Sequence, residues 1–351
     1  MTQTLRLLSH GEHVRPAYAA LRGETEGAAG KSAAEERPEG KLSGTPRRFG
    51  KQQEASYEPG ALGWIKATYK DAIEYAGLVD ELEGYALWGG AIALSGGLVF
   101  LWIAFYALLT FPRPHGGLVF VLMLCIVMAS GYGVIWSLRL TIYKPCDLPI
   151  IFDRKHRKVY RILREEQAGI VGMFEPWPVK CCEYEWDLVD AEYEAEAFTT
   201  GATVNRNHYL MFLVRKSAED ATIIDSFQIG NAMLMNEAIV AGMWEHIRRF
   251  MEQGGPHLPS PDEPLAYKRR DQPTWWEACG TVSVWGSKYK QRWREETLRA
   301  VVAHVLFFVS IPAGLVIGTG NWLAHKTAVD VDWPDEVKER VGPPVRIHGR
   351  G

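Results

Sequence analysis

Three stretches of this chain carry no formally charged side chain, and they constrain what it can fold into more than any other feature. Tyr85–Phe111 is 27 residues long, Gly117–Leu138 is 22 and Ala300–Ala324 is 25. A helix rises ~1.5 Å per residue, so ~20 apolar residues cross the ~30 Å hydrocarbon core of a bilayer. Each run is therefore long enough to span, and a plain soluble globule is excluded. Between the first two lies only Pro112-Arg113-Pro114-His115-Gly116. Its prolines and glycine stop one helix and turn the chain, which predicts a membrane hairpin at 85–138. The third run, 300–324, contains His304, Pro312 and Asn321 and is expected to form a third transmembrane helix.

Lysine and arginine near the ends of spans set orientation. The hairpin loop offers Arg113 alone, whereas Arg139, Lys144, Arg154, Lys155, Arg157 and Lys158 follow the second run. Lys288, Lys290, Arg292, Arg294 and Arg299 precede the third run, and few basic residues, mixed with acids, follow it. This distribution places residues 1–84 and 139–299 in the cytoplasm and the tail 325–351 outside. The first 20 residues lack an apolar core, so no cleavable signal peptide is expected. Cys146, Cys181, Cys182 and Cys279 fall on the cytoplasmic side, where thiols stay reduced, and no C-x-x-C spacing suggests zinc. The vicinal pair Cys181-Cys182 reads as a strand with one thiol buried and one exposed. A balance of 39 Lys+Arg against 42 Asp+Glu supplies no dominant basic surface and argues against nucleic-acid binding.

Outside the membrane runs, residues 1–60 are rich in Gly, Ala, Glu, Arg and Ser, and their composition predicts a disordered cytosolic tail. Residues 61–84 read as an amphipathic lead-in helix built on Trp64, Ile65, Ala67, Tyr69, Ile73 and Leu78. The block 148–254 is the segment that reads as a folded soluble domain. Pro149-Ile150-Ile151-Phe152 and Val159-Tyr160-Arg161-Ile162 flank a polar turn, a hairpin signal. In 183–196 acids alternate with apolar residues at period two, and the phase flips at Leu188-Val189, as at a bulge or tight turn. Strands at 209–214 and 222–228 and a closing helix at 232–253 complete an α+β domain. The fold expected is an antiparallel sheet or small open barrel capped by a C-terminal helix, of pleckstrin-homology-like type. Residues 255–299 form a Trp/Lys/Arg-rich juxtamembrane linker.

Three groups of residues are candidates for contact. The acid row Glu183, Glu185, Asp187, Asp190, Glu192, Glu194 and Glu196 is either a docking face for a basic partner or cation, or a solvated outer sheet face. The basic turn Arg154, Lys155, Arg157 and Lys158 lies close enough to the second run to touch an anionic membrane surface. Trp275, Trp276, Trp285 and Trp293, alternating with Lys and Arg, suit the headgroup region. Gly314 and Gly318 form a G-x-x-x-G at which helices pack closely, within a bundle or in a homo-oligomer. No metal spacing, phosphate loop or nucleophile–base motif is present, so no cofactor and no enzymatic activity are expected. Trp244-Glu245-His246 supplies no second ligand, and His246 is expected to be half-buried or solvated on its helix.

The segment L-P-I-I-F-D-R-K-x-R-K-V-Y, carried by Leu148, Pro149, Phe152, Asp153, Arg154, Arg157, Lys158, Val159 and Tyr160, resembles a family of proteobacterial inner-membrane proteins built around a domain of unknown function. The likeness in layout covers residues 85–325. It implies a bacterial inner-membrane location, association with type VI secretion or toxin loci, and an accessory or immunity role. The partner implied is a secreted effector or a secretion-system component, met at the lipid bilayer. The alternative is a transport or channel component formed by the helix bundle; His304 as the sole titratable group in the spans favours the contact reading.

Overall fold

The computed structural model describes residues 7–9, 47–77, 83–110, 115–145, 147–165, 175–199, 204–230, 235–258, 274–282, 293–294, 301, 304–305 and 307–347. It combines two long apolar helices with a sheet-rich domain. The helices are α1, Glu83–Thr110, and α2, His115–Arg139, and both are long and apolar enough to cross a membrane. They pack antiparallel along a seam of small residues. A Cβ on Gly90 would lie 2.7 Å from the Cβ of Ser137, and one on Gly97 2.9 Å from that of Ser130. Glycine at those two positions is what lets the backbones meet.

The domain holds two sheets. Strands β1 (Leu7–Leu8), β2 (Arg47–Phe49), β3 (Ile65–Thr68) and β4 (Ala72–Tyr75) precede the helices. After them come β5 (Ile150–Asp153), β6 (Lys158–Arg164), β7 (Val179–Glu185), β8 (Val189–Thr199), β9 (Val204–Arg215) and β10 (Ile223–Ile229), with β11 (Arg346–Ile347) at the end. The seven-stranded sheet runs β1-β7-β6-β5-β4-β3-β11 and is mixed, because β1 pairs parallel to β7. The four-stranded sheet runs β10-β9-β8-β2 and is antiparallel throughout. A short 3-10 turn, Trp186–Leu188, passes the chain from one sheet to the other. That turn is the phase flip visible in the sequence.

Alternation along the strands builds two cores. Ile73 and Tyr75, Ile150 and Phe152, Val159 and Leu163, and Cys182 and Tyr184 face the second sheet and the helix α3, Glu237–Gln253. Ala72, Ile151, Tyr160, Ile162 and Cys181 face the opposite way, onto Trp333, Val337 and Val341. Pro149-Ile150-Ile151-Phe152 reads as an unbroken apolar run because both faces of β5 are covered. The helix α3 starts later than its apolar periodicity predicts. The Asn236 side chain accepts the Ile239 N–H at 2.9 Å and caps it, and Gly254 ends it in the left-handed conformation.

Several expectations are corrected here. In place of the lead-in helix expected at 61–84 stands the hairpin β3–β4, while Leu78 and the rest of 78–82 lie outside the described residues. Ile65, Tyr69 and Ile73 stand four apart and imitate a helical stripe, but pairing of β4 with β5 decides the conformation. Within residues 1–60, β1 and β2 are strands that join the two sheets; the expected disorder of 1–6 and 10–46 lies outside the described residues. Within the tail 325–351, expected to lie apart from the domain, the described residues to 347 pack on the larger sheet. The tail helix α6, Asp335–Val341, lays Val337 and Val341 on the larger sheet, and β11 pairs with β3. Charge counting near the third run cannot register a seven-residue amphipathic helix that docks on a distant sheet. The third run forms α5, Phe307–Thr327, with Pro312 inside it. Its C-terminal end meets the domain, where the Thr327 Oγ1 accepts the Tyr143 N–H at 3.2 Å.

The two vicinal cysteines, expected one in and one out, are both buried, at 0% and 1% exposure, because each face of the sheet has its own cover. Burial pushes the Cys182 thiol up to about 11 and that of Cys181 higher still. The native state therefore keeps protons that unfolded thiols release above pH ~8.5. No penalty exists at lower pH, and stability falls as pH rises from about 9 towards 11. Up to about 2–3 kcal/mol is at stake for Cys182 at ~1.4 kcal/mol per unit. The decline in Tm between pH 8.5 and 11 should be smaller in Cys182→Ala than in the parent; equal slopes would refute the assignment.

Candidate functional site

The acid row does not form one face. Glu183 and Glu185 belong to β7 and the larger sheet, and Asp190, Glu192, Glu194 and Glu196 belong to β8 and the smaller one. Most of these carboxylates are matched within the chain. Glu183 is buried between Lys158 and Arg340, and Lys158 also reaches Glu185 at 3.2 Å. Asp187 pairs with Arg157, whose hydrogen bond holds its carboxyl below the usual range. Asp190 meets Arg215 at 2.9 Å, and Glu192, buried, meets Arg48 at 2.7 Å. Glu194 also has an interaction partner, and the side chain of Glu196 lies outside the described residues. Alternation placed the acids outward on their strands; it could not reveal which basic residues the fold brings opposite.

The basic turn is likewise used internally. The Asp153 carboxylate accepts the backbone N–H groups of Lys155 and His156 at 3.0 and 3.2 Å and fixes the turn. Arg154 bonds Asp71 and covers the Phe250 ring, 5.0 Å from its centroid. Arg157, in the left-handed region at φ 53°, reaches both Asp187 and Glu252. Only Lys155 of the four stands exposed. The other three are half-buried and engaged in ion pairs within the chain.

Trp275, Trp276 and the two glycine candidates come together at α5. The helix α4, Trp275–Val282, packs on it so closely that a Cβ on Gly318 would lie 2.3 Å from the Cα of Cys279. Gly314 is buried one turn earlier. The small face of the G-x-x-x-G is thus filled from within the chain. Trp275 donates its indole N–H to Thr319 Oγ1 at 3.0 Å, and both Trp275 and Trp276 keep exposed rings. Trp293 and His304 meet as a tilted ring pair with centroids 5.3 Å apart. Trp285 lies outside the described residues.

One constellation escaped the sequence. The segment from Arg47 to Gly60 lies as a strap in a groove between the outer edge of β8 and α3. Arg47, Arg48 and Phe49 pair with Tyr193, Glu192 and Ala191 as an added antiparallel strand. Phe49 stacks on Trp244 at 6.0 Å, and Lys51 sits over the Trp186 ring and donates to the Trp186 carbonyl. Farther along, Glu245 accepts the Ala55 N–H at 3.0 Å, and Arg248 donates to the Lys51 carbonyl at 3.3 Å. The expectation for His246 is corrected as well, because it packs between Tyr75 of β4 and the Pro256 carbonyl. It is 1% exposed, with the Tyr75 hydroxyl 2.6 Å from its Nδ1. The only advance signal was the alternation of basic and aromatic residues in Arg47-Arg48-Phe49-Gly50-Lys51. Among the described residues, no three His, Cys, Asp or Glu side chains gather in a metal-binding arrangement. The groove's charged, aromatic and backbone-binding side chains are engaged by the chain's own residues 47–58.

With this geometry in place, a family model matches residues 126–341, from the middle of α2 to the end of α6. The chain belongs to the DUF6708 family, a family of unknown function. The match takes in β5–β10, α3 and the tail helix of this DUF6708 protein, and leaves the strap and β1–β4 outside. It carries no link to proteobacteria or to type VI secretion. No curated protein and no solved structure matches the chain.

Proposed function

We propose that this DUF6708 protein is a non-enzymatic, membrane-anchored contact protein. One observation carries the reading. The α1–α2 hairpin turns its small residues inward and leaves a large apolar surface bare, with Trp102 at 67%, Leu118 at 73% and Met128 at 70% exposure. Bare apolar area of that extent is matched by lipid. The hydroxyls of Ser95, Ser130 and Ser137 each donate to the carbonyl four residues back in their own helix, which suits a surrounding without water. No polar row is left along these helices to line a channel, which favours an anchor over a transport component. The domain is read as pleckstrin-homology-like in its centre. The meander β4–β7, the meander β8–β10 and the closing helix α3 support that likeness.

In this reading the domain lies on one side together with β1 and β11, which belong to the same sheet. The α4–α5 pair enters and leaves from that side. The basic residues around Arg139 and Lys144 favour the cytoplasmic side of a bacterial inner membrane. The narrower expectation, an accessory or immunity protein of a type VI secretion system, rests on the resemblance of Leu148–Tyr160 alone. Membrane fractionation with alkaline carbonate washing should retain the protein in the pellet. Reporters fused after Gly255 and after Gly351 should both be active in the cytoplasm. Release into the supernatant would end the membrane reading, and reporters on opposite sides would end the one-sided topology.

A further inference from the structure

We propose that the groove between β8 and α3 is a binding site for an extended segment of a partner protein, of the form basic–basic–aromatic–x–lysine, and that residues 47–58 occupy it as an internal ligand. A strand edge presents unpaired N–H and C=O groups and accepts another strand by backbone pairing, with pockets for alternate side chains setting specificity. The edge of β8 is closed here by only three residues, Arg47–Phe49. Arg47 and Arg48 are exposed beyond their ion pairs, and Phe49 alone reaches inward.

The rest of the groove reads backbone rather than sequence. Glu245 takes the Ala55 N–H, Arg248 the Lys51 carbonyl, and Arg249 the carbonyls of Ser56 and Tyr57 at 3.4 Å. Specificity comes from charge and from an aromatic floor. Glu237 faces Arg47 at 3.7 Å, Glu192 faces Arg48 at 2.7 Å, and Trp244 and Trp186 receive Phe49 and Lys51. The internal segment is an imperfect occupant. Burial pulls Lys51 down to about 8 despite the attraction of Asp190, Asp187 and Glu252, so its charge is held at a cost. Trp244, fully buried beside Phe49, keeps an indole N–H with no partner among the described residues.

The inference rests on the contact reading above, since it locates the contact. The experiment separates the two, because it is done on purified full-length chain in detergent and does not depend on where the protein resides. The probe is a fluorescent peptide of residues 45–58, titrated by anisotropy. A tethered segment competes at an effective concentration of about millimolar, so the parent chain should take up little peptide. Arg48→Ala and Phe49→Ala, which weaken the internal strap, should each bind it at least about tenfold more tightly. Adding Glu192→Lys to Phe49→Ala should reverse that gain. A disulfide between cysteines replacing the paired residues Arg48 and Glu192 should abolish uptake until reduced. Absence of binding to strap-weakened chains that still unfold cooperatively would overturn the proposal, as would equal binding of a scrambled peptide. Concentration-dependent dimers in place of peptide uptake would overturn it in favour of strand exchange between copies.

Discussion

Residues 148–254, excised and expressed alone, are expected to remain without a fixed fold, although they read in the sequence as a self-contained domain. The excised piece lacks β3, β4 and β11, which continue the larger sheet beyond β5, and it lacks β1 beyond β7. It also loses Trp333, Val337 and Val341, so Ile151, Tyr160, Ile162 and Cys181 would face water across one whole side of the sheet. Inside, His246 loses the Tyr75 hydroxyl, and the buried Glu245 loses the Ala55 N–H that helps satisfy it. Buried polar groups stripped of partners cost about 1–3 kcal/mol each, against a net stability of about 5–15 kcal/mol for a whole domain. The fragment should give a broad, non-sigmoidal thermal profile by circular dichroism and bind a hydrophobic dye. The chain 47–347 in detergent should unfold cooperatively. A sharp transition from the fragment would show that the added strands and tail are accessories.

The second large effect is expected at Trp186. Its ring is fully buried at the joint between the two sheets, edge-on to Phe152 at 6.0 Å and stacked on Trp244 at 5.9 Å. Its indole N–H donates to Glu252 at 2.6 Å, and Lys51 lies over its face. Trp186→Ala should cost about 3–5 kcal/mol, the range for a large aromatic removed from a packed core. Trp186→Phe keeps much of the ring volume and loses the donor, so it should fall between the alanine variant and the parent. Chemical denaturation of the full chain in detergent reads both. Loss of under about 1 kcal/mol for the alanine variant would place the joint outside the cooperative core.

These two expectations mark the boundary between what was legible in the chain and what was not. Runs of 27 and 22 uncharged residues separated by two prolines admit one economical outcome, an apolar helical hairpin, because local backbone pairing is complete only within helices. Period-two alternation around Asp153–Lys158 and through 183–196 likewise fixed strands, and the slip of phase at Leu188-Val189 located the turn between sheets. These are near-neighbour properties, so the sequence by itself determined them. It could not determine that the tail adds β11 to the larger sheet, that Arg47–Phe49 closes the edge of β8, or that the acids of 183–192 meet Lys158, Arg340, Arg157, Arg215 and Arg48. Each of those pairings is made across many residues of chain. Its free energy comes from surfaces that exist only once both sheets have formed, and short strands such as β2 and β11 carry no periodic signal of their own. Tertiary structure alone decided them, because edge pairing, ion pairing and burial on the second sheet face reward proximity in space and are indifferent to distance along the chain.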